Sequence, residues 1–572
     1  MIKLIFFLFL AMASLHCKNK NEVMQVNIGT APVTVCGAQT TDTRWYQTEQ
    51  AAPLLEGLGD LHYKVSTDNP LAQQYFDQGL ILSYAFNHAE AARSFYYASR
   101  LDSSCAMCYW GFAYVLGPNY NGGMEPDHYQ RAFDAVQKAM KLADGATLKE
   151  KQLIQALATR YVKEPVEDRH LLDSSYSAEM KKLHLVYPDD PEIAALYVES
   201  IMDLHPWDLW DKQGQPKPWT PEIVAIIERL IKQYPEHPGL HHFYIHAVEA
   251  SFHPDRGLAS AHKFDQGMVP GAGHLVHMSS HIYIRTGDYH EGSLSNIRAI
   301  KVDSQYVSSC HAQGVYPLSY YPHNYHFLAA TATLEGKKSW AMTASEKMSE
   351  HMDRELIKDP AWATLQHYYL IPYFVRVKFG DWDSILARPE PMISLPYVQA
   401  IRHYARGMAY LNKKNIPAAR EEMNRLDSIA RDTVLKDLTI WAINSIADIV
   451  SIASKVLQGE IFAAESSYDA SIRLLREAVA MEDQLAYNEP PEWFFSVRHH
   501  LGAILLENKN YKEAIKIYKE DLNWLPKNGW AQHGLKAAYQ NIKDQKSLTA
   551  IEKDILESWK YAEITLGSSR VK

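Results

Sequence analysis

The sequence predicts an all-α protein, a solenoid of the tetratricopeptide-repeat (TPR) type in which helix pairs stack into a right-handed superhelix. From about residue 70 to about residue 562 apolar residues recur with a helical period, and almost no segment alternates as a strand would. Helix pairs recur at a spacing of roughly 34 to 45 residues. At 572 residues the chain also exceeds what one hydrophobic core supports, which favours a repeat array.

The N-terminus predicts export. Residues 1–16 carry one early charge, Lys3, followed by an almost wholly apolar run from Leu4 to Leu15, which is too short to span a membrane and is typical of a signal peptide. Cys17 follows at once, as the lipidated residue does in bacterial lipoproteins. We therefore expect an exported lipoprotein anchored in the outer membrane, facing the periplasm or the surface. A plain secretory signal is the alternative.

The mature chain divides into two parts. Residues 17–66 show no sustained helical period and are predicted to form a lipid tether and an irregular extension over the first repeat. Residues 67–565 are predicted to form the solenoid, in which stacking of neighbouring pairs builds a continuous core. In the last clear repeat Gly502 is placed where the two helices of the pair approach each other.

Two stretches interrupt the repeats and are predicted to be loops. Residues 205–221 contain Trp207, Trp210 and Trp219 among prolines, and residues 304–322 are rich in tyrosine. Loops of this length are often functional. Coverage of an exposed core edge by their aromatic side chains is the interpretation we favour.

Cys105 and Cys108 form a CxxC pair in a segment of helical character, without the βαβ pattern of a thioredoxin-like site. An exported chain can oxidise such a pair. We expect a structural disulfide or two buried thiols, and redox chemistry or metal binding is the alternative.

Several long segments resemble a widespread family of bacterial TPR proteins. They read FNHAEAARSF, CAMCYWG, GPNYN, HPGLHHFYIHAVEAS, HLVHMSSHIYIRTGDY, YYPHNYHFL and NEPPEWFFSVRHHLGAILL. The resemblance covers nearly the whole mature chain. It implies the TPR fold and brings no established activity or ligand.

Histidines are concentrated in three successive helical segments between residues 237 and 326. The spacing within each segment is that of one helix face, with His242, His246 and Glu249, then His274, His277 and His281, then His323 and His326. The first two groups lie about one TPR period apart, so we expect them side by side on the concave face. Helical pairs of imidazoles, with a carboxylate such as Glu249, suit zinc, copper or iron.

Three functions are consistent with this pattern. The first, which we favour at this point, is a lipid-anchored interaction module that binds a protein or peptide partner through a His-rich concave groove. The second is a metal-binding protein or a metal-dependent enzyme that uses the eight residues of the three groups. The third is an accessory lipoprotein of polysaccharide utilisation, in which some of the 35 tyrosines and 13 tryptophans stack on a glycan.

Other classes of function are not supported. The net charge of −9 and the lack of a basic tract argue against a nucleic-acid partner. The sequence has no HExxH, GxSxG, P-loop or dinucleotide-binding motif, so it identifies no catalytic residues.

Overall fold

The computed structural model describes residues 43–48, 50–310, 315–391 and 393–571. The predicted signal peptide, Cys17 and most of the predicted tether lie outside these residues. Within them, strands are confined to one antiparallel pair, β1 (Thr439–Ile440) and β2 (Asn444–Ser445). None of the described helices is both long enough and apolar enough to span a membrane.

The helices follow one another along the chain with short connections. The first half forms α1 (Pro70–Tyr84), α2 (His88–Leu101), α3 (Ala106–Val115), α4 (His128–Leu142), α5 (Leu148–Ala158), α6 (His170–Val186), α7 (Pro191–Leu204), α8 (Thr220–Gln233), α9 (Pro238–Glu249), α10 (Leu258–Asp265), α11 (Gly273–His277), α12 (Ser279–Thr286) and α13 (Tyr289–Cys310). The second half forms α14 (Tyr321–Leu334), α15 (Lys338–Glu350), α16 (Ala363–Phe379), α17 (Trp382–Ala387), α18 (Pro396–Asn412), α19 (Ile416–Ala430), α20 (Ile446–Ala464), α21 (Tyr468–Glu482), α22 (Arg498–Glu507), α23 (Tyr511–Trp524), α24 (Gly529–Ile542) and α25 (Gln545–Ser558).

Local sequence sets where these helices begin. The Asn69 side chain accepts hydrogen bonds from the first turn of α1, and Pro70 occupies the first helical position, where its missing N–H costs nothing. At α5, Thr147 and Glu150 form a capping box. These signals are local, so they are legible from the sequence.

Consecutive helices pack as pairs, and the pairs pack on their neighbours. In the first pair, a Cβ added at Gly79 would lie 2.8 Å from the Phe95 ring, so a small residue is needed for α1 and α2 to approach. The predicted all-α TPR-type solenoid is confirmed.

The prediction of a loop at residues 304–322 is wrong over most of that range. α13 continues to Cys310, and a π-helical turn at Tyr316–Tyr320 leads directly into α14. Buried Tyr316 and Tyr320 hold this turn against the core. A pattern of aromatic and polar residues without an apolar period hid the helix. By contrast, residues 205–219 do form an irregular insertion.

The irregular segment from residue 50 to residue 69 lies across several repeats. Tyr75 donates a hydrogen bond to the Ala52 carbonyl at 2.7 Å, and the Gly271 N–H donates to the Gly57 carbonyl at 2.7 Å. The segment therefore ties the first helix pair to the region between α10 and α11.

Buried apolar residues form two large clusters, one mostly before residue 284 and one after it. The last repeats also return to the middle of the chain. Arg285 donates to the Trp524 carbonyl at 3.2 Å, Tyr289 donates to the Pro526 carbonyl at 2.7 Å, and Lys527 pairs with Asp288 at 2.8 Å. The middle helices α9 to α14 are thus contacted both by the N-terminal segment and by the last repeats.

Candidate metal centre

Seven of the eight predicted ligand residues meet in one place, at the boundary between the two apolar clusters. We call them the histidine cluster: His242, His246, Glu249, His274, His277, His281 and His323. His323 is 9% exposed and each of the others 2% or less. They come from α9, α11, α12 and α14, so the two groups predicted to be neighbours are neighbours.

The first trio consists of His242 and His246, one turn apart on α9, and His274 on α11. Their candidate ligand atoms lie within 4.8 Å of one another. Nδ1 of His242 donates to the Tyr84 carbonyl at 2.6 Å, and Nδ1 of His246 donates to Glu249 Oε1 at 2.7 Å. Because both acceptors can only accept, each neutral imidazole keeps its lone pair on Nε2. Neither Nε2, nor either nitrogen of His274, has a partner among the described residues.

The second trio consists of His277, His281 and His323, again with ligand atoms within 4.8 Å of one another. Nδ1 of His281 donates to Glu249 Oε2 at 2.6 Å, and Nδ1 of His277 donates to Asn296 Oδ1 at 2.7 Å. The Asn296 amide nitrogen donates to the Gly292 carbonyl, which turns its oxygen toward His277.

These bonds leave two lone pairs facing each other. His277 Nε2 and His281 Nε2 are 2.9 Å apart. Two neutral imidazoles in these tautomers would repel at that distance, whereas a proton or a metal ion shared by the two nitrogen atoms would hold them together. Two nitrogen ligands each about 2.0–2.1 Å from one tetrahedral zinc ion are about 3.3–3.4 Å apart, so the two rings would separate by about 0.5 Å to hold an ion between them.

Glu249 lies behind the imidazoles and connects the two trios through His246 and His281. Burial raises the pKa of its carboxyl, but His281 and His246 lower that pKa more, to about 2. The sequence-based interpretation made Glu249 a ligand. In the structure both of its oxygens accept imidazole N–H groups, so it orients and polarises one imidazole in each trio, as carboxylates do behind metal-bound histidines.

Aromatic rings close the cluster. Phe86 packs against His242 with ring centroids 4.5 Å apart, and Phe327 packs against His281 at the same distance. Trp207 from the insertion lies 5.5 Å from His246. Burial lowers the pKa of His242, His274, His277 and His323 well below its ordinary value, which keeps these imidazoles neutral and able to ligate.

This burial differs from the expected open groove. The imidazoles lie inside the protein because the insertion and the C-terminal repeats cover the face that a simple TPR array leaves exposed. Tyr487, from the connection between α21 and α22, reaches the cluster and donates to Glu249 Oε2 at 3.3 Å.

The structure places His326 outside the histidine cluster. A separation of three residues offsets the two side chains by about 60° around α14, and this offset places the His326 ring against His367 and Tyr368 of α16 instead of in the cluster. Its ring stacks on Phe494, with centroids 5.1 Å apart, and lies 5.6 Å from the ring of His367.

Sequence reasoning missed the groups that orient the imidazoles. The Tyr84 carbonyl, Asn296 and Tyr487 are single polar groups with no periodic pattern, and Tyr84 and Tyr487 are far from the ligands in sequence. Elsewhere, Cys105 and Cys108 are joined in a disulfide at the start of α3.

Comparison with known proteins gives structural similarities only. Human IFIT1, solved as a dimer with m7Gppp-AAAA, has a TM-score of 0.32 and 11% identity, covering 87% of this chain and 91% of that chain. Yeast Tom70 has a TM-score of 0.29 and 12% identity, covering 85% and 99%. No protein-family model and no curated protein matches this chain. Similarities of this size say nothing about a ligand or an activity.

Proposed function

We propose that this protein is an exported, lipid-anchored helical-repeat protein that holds a dinuclear transition-metal centre in the histidine cluster. The observation that carries the proposal is the pair of Nε2 lone pairs of His277 and His281, 2.9 Å apart and each fixed by a hydrogen bond at Nδ1. A metal ion between them removes the repulsion.

The ligand chemistry indicates which ions would bind. Each trio offers three imidazole nitrogens, with the Glu249 carboxylate behind them, which suits zinc, copper or iron and disfavours magnesium or calcium. Three protein ligands on each ion leave a position for water or a small ligand, as in catalytic metal sites. Because the imidazoles are buried, this metal function has more support than recognition of a peptide by an exposed His-rich groove.

The remaining parts of the proposal rest on the sequence. The apolar run that ends at Cys17 supports export and lipid anchoring in the outer membrane. A protein, peptide or glycan partner on the outer faces of the solenoid, including a role in polysaccharide utilisation, stays a prediction.

The test is the metal content of protein purified without a polyhistidine tag, measured by inductively coupled plasma mass spectrometry. We expect about two zinc, copper or iron ions per chain, as in other two-metal sites. Adding these ions to EDTA-treated protein should raise its melting temperature.

Two matched variants locate the ions. His274 and His326 are both buried, and no ring nitrogen of either has a hydrogen-bond partner among the described residues. His274→Gln removes a ligand of the first trio and should lose one ion of the two. His326→Gln lies outside the histidine cluster and should retain both. A wild-type protein that carries none of these metals and gains no stability from zinc, copper, iron or manganese would refute the proposal.

A further inference from the structure

A cavity of about 740 Å³ lies between the insertion at residues 205–219 and the segment from Glu482 to Arg498. Its size suits a small organic ligand. Lys212 donates to the Asp483 carbonyl at 2.9 Å and so connects the two walls. Trp207, Trp210, Trp493 and Trp524 contribute indole rings to the lining.

The basic side chains that line the cavity already have partners. Lys217 pairs with Asp208 at 2.8 Å, and Arg498 pairs with Asp483 at 2.8 Å. Arg285 donates to the Glu249 carbonyl at 3.1 Å and lies over the Trp524 ring.

Two carboxyl groups of the lining lack such a partner. Glu489 and Glu492 are 3% and 1% exposed, and neither forms an ion pair within the described parts of the chain. Oε2 of Glu489 has no hydrogen-bond partner there, whereas Glu492 accepts one from Asn488 at 2.8 Å. Burial raises the pKa of Glu489, and the Arg285 guanidinium lowers it only in part without forming an ion pair; no described cationic group lowers the pKa of Glu492. A buried carboxylate without a close counter-charge is costly, so this end of the cavity favours a positively charged ligand.

The aromatic lining indicates which kind of cation. Indole faces attract ammonium and guanidinium groups, and the position of Arg285 over Trp524, 5.1 Å from the ring centroid, is an example within this cavity. A hydrated inorganic ion would not make this contact with the indole faces, whereas an organic cation would. Trp493, whose Nε1 has no partner among the described residues, and Glu489 line the same space.

We propose that this cavity binds an organic cation, an ammonium or guanidinium group, through Glu489 and Glu492 beside the tryptophan rings. The group belongs either to a free amine or to a lysine or arginine side chain of a peptide. The proposal does not depend on the metal centre, although Tyr487 lines the cavity and also contacts Glu249.

The probe is agmatine, which carries an amine and a guanidinium group, titrated calorimetrically into EDTA-treated full-length protein at pH 8. The double variant Glu489→Gln/Glu492→Gln keeps the shape of both side chains and should bind agmatine at least about tenfold more weakly. The control is Asp208→Asn, which changes a carboxylate of the same cavity that Lys217 already neutralises, and it should bind like the wild type. Circular dichroism verifies that each variant is folded.

The pH profile gives a second readout. Burial raises the pKa of Glu489 to about 8 and that of Glu492 to about 6. A cation binds the ionised carboxyls, so agmatine affinity should rise between pH 6 and pH 9. The groups that face these two carboxyls are Arg285, Glu249 and Tyr487 around Glu489, and Asn444, Asn488 and Tyr397 around Glu492.

Equal agmatine affinity in the wild type and the double variant would overturn the proposal. So would a flat pH profile, or tighter binding of the neutral sugar cellobiose than of agmatine. If an acetylated tripeptide with a central arginine displaces agmatine, the natural cation is a peptide side chain. If it does not, the cation is a free amine. Either result supports the proposal and identifies the source of the cation.

Discussion

Replacing Glu249 with glutamine should affect the two ion sites of the proposed metal centre unequally. The carboxylate accepts Nδ1–H from His246 at 2.7 Å and from His281 at 2.6 Å, one imidazole in each trio. Glutamine offers one oxygen and one NH2 group, so it can accept from only one of them. The other imidazole then faces a donor, moves its proton from Nδ1 to Nε2 and loses the lone pair that would bind metal.

The magnitude follows from the structure. The pKa of Glu249 falls from an ordinary 4.5 to about 2, which corresponds to about 3 kcal/mol of stabilisation of the buried carboxylate. This stabilisation is present above pH 4.5 and is lost as the pH falls toward 2. Loss of such a supporting group typically weakens metal binding by roughly 10- to 100-fold. We expect Glu249→Gln to weaken the binding of one of the two metal ions by this factor and to change the binding of the other less.

The assay is competition for zinc with a chromophoric chelator, combined with the melting temperature of the metal-free protein at pH 7. Glu199→Gln is the control, since Glu199 is also buried and accepts a hydrogen bond from Tyr114. Burial raises the pKa of Glu199, so glutamine resembles its neutral form and should change little. If Glu249→Gln binds two ions with wild-type affinity, our account of the carboxylate is wrong.

Three further predictions concern stability and location. Burial lowers the pKa of His242, His274, His277 and His323, so the unfolded chain takes up protons that the folded protein does not. The free energy of unfolding of metal-free protein should therefore fall by up to about 1.4 kcal/mol per histidine for each pH unit below about 6.5. A melting temperature that is constant from pH 7.5 to pH 5 would contradict this. A Cβ at Gly502 would lie 2.4 Å from the buried Tyr518 ring, so Gly502→Ala should cost about 1–3 kcal/mol from overpacking, offset by about 1 kcal/mol of helix propensity. It should melt below Gly459→Ala, whose Cβ meets only the Leu475 side chain at 3.0 Å, and equal melting temperatures would show that Tyr518 can move aside. Cys17→Ser should move the protein from the membrane fraction to the soluble fraction on immunoblots, and wild-type protein that is already soluble would exclude the anchor.

The helical period predicted both the repeats and most of the histidine cluster, because both depend on which residues share a helix face. The spacing of His242 and His246 on α9, and of His277 and His281 across α11 and α12, was sufficient to predict that they meet. The same spacing argument failed for His326, since its offset of about 60° from His323 around α14 was enough to place it against His367 and Phe494 instead. It also placed His274 with His277 and His281, whereas the break at Met278 assigns His274 to the first trio.

Burial of the site could not be predicted from local patterns. The groups that enclose and orient the imidazoles come from Tyr84 and Phe86, from Trp207, and from Tyr487, which lies 238 residues from its partner Glu249. Contacts over such separations depend on how the whole solenoid curves. Neither the period of one helix nor the composition of one loop contains that information.

The return of the last repeats to the middle of the chain has a consequence for how this protein can change in length. An open solenoid tolerates gain or loss of a repeat, because each unit contacts only its neighbours. Here the bonds from Arg285 to Trp524 and from Tyr289 to Pro526 fix the number of helix pairs that fit between them. Duplication or deletion of one pair between α13 and α23 would displace both ends of these bonds, together with Tyr487 over the histidine cluster. Between those helices, the repeat number should therefore be invariant among functional relatives.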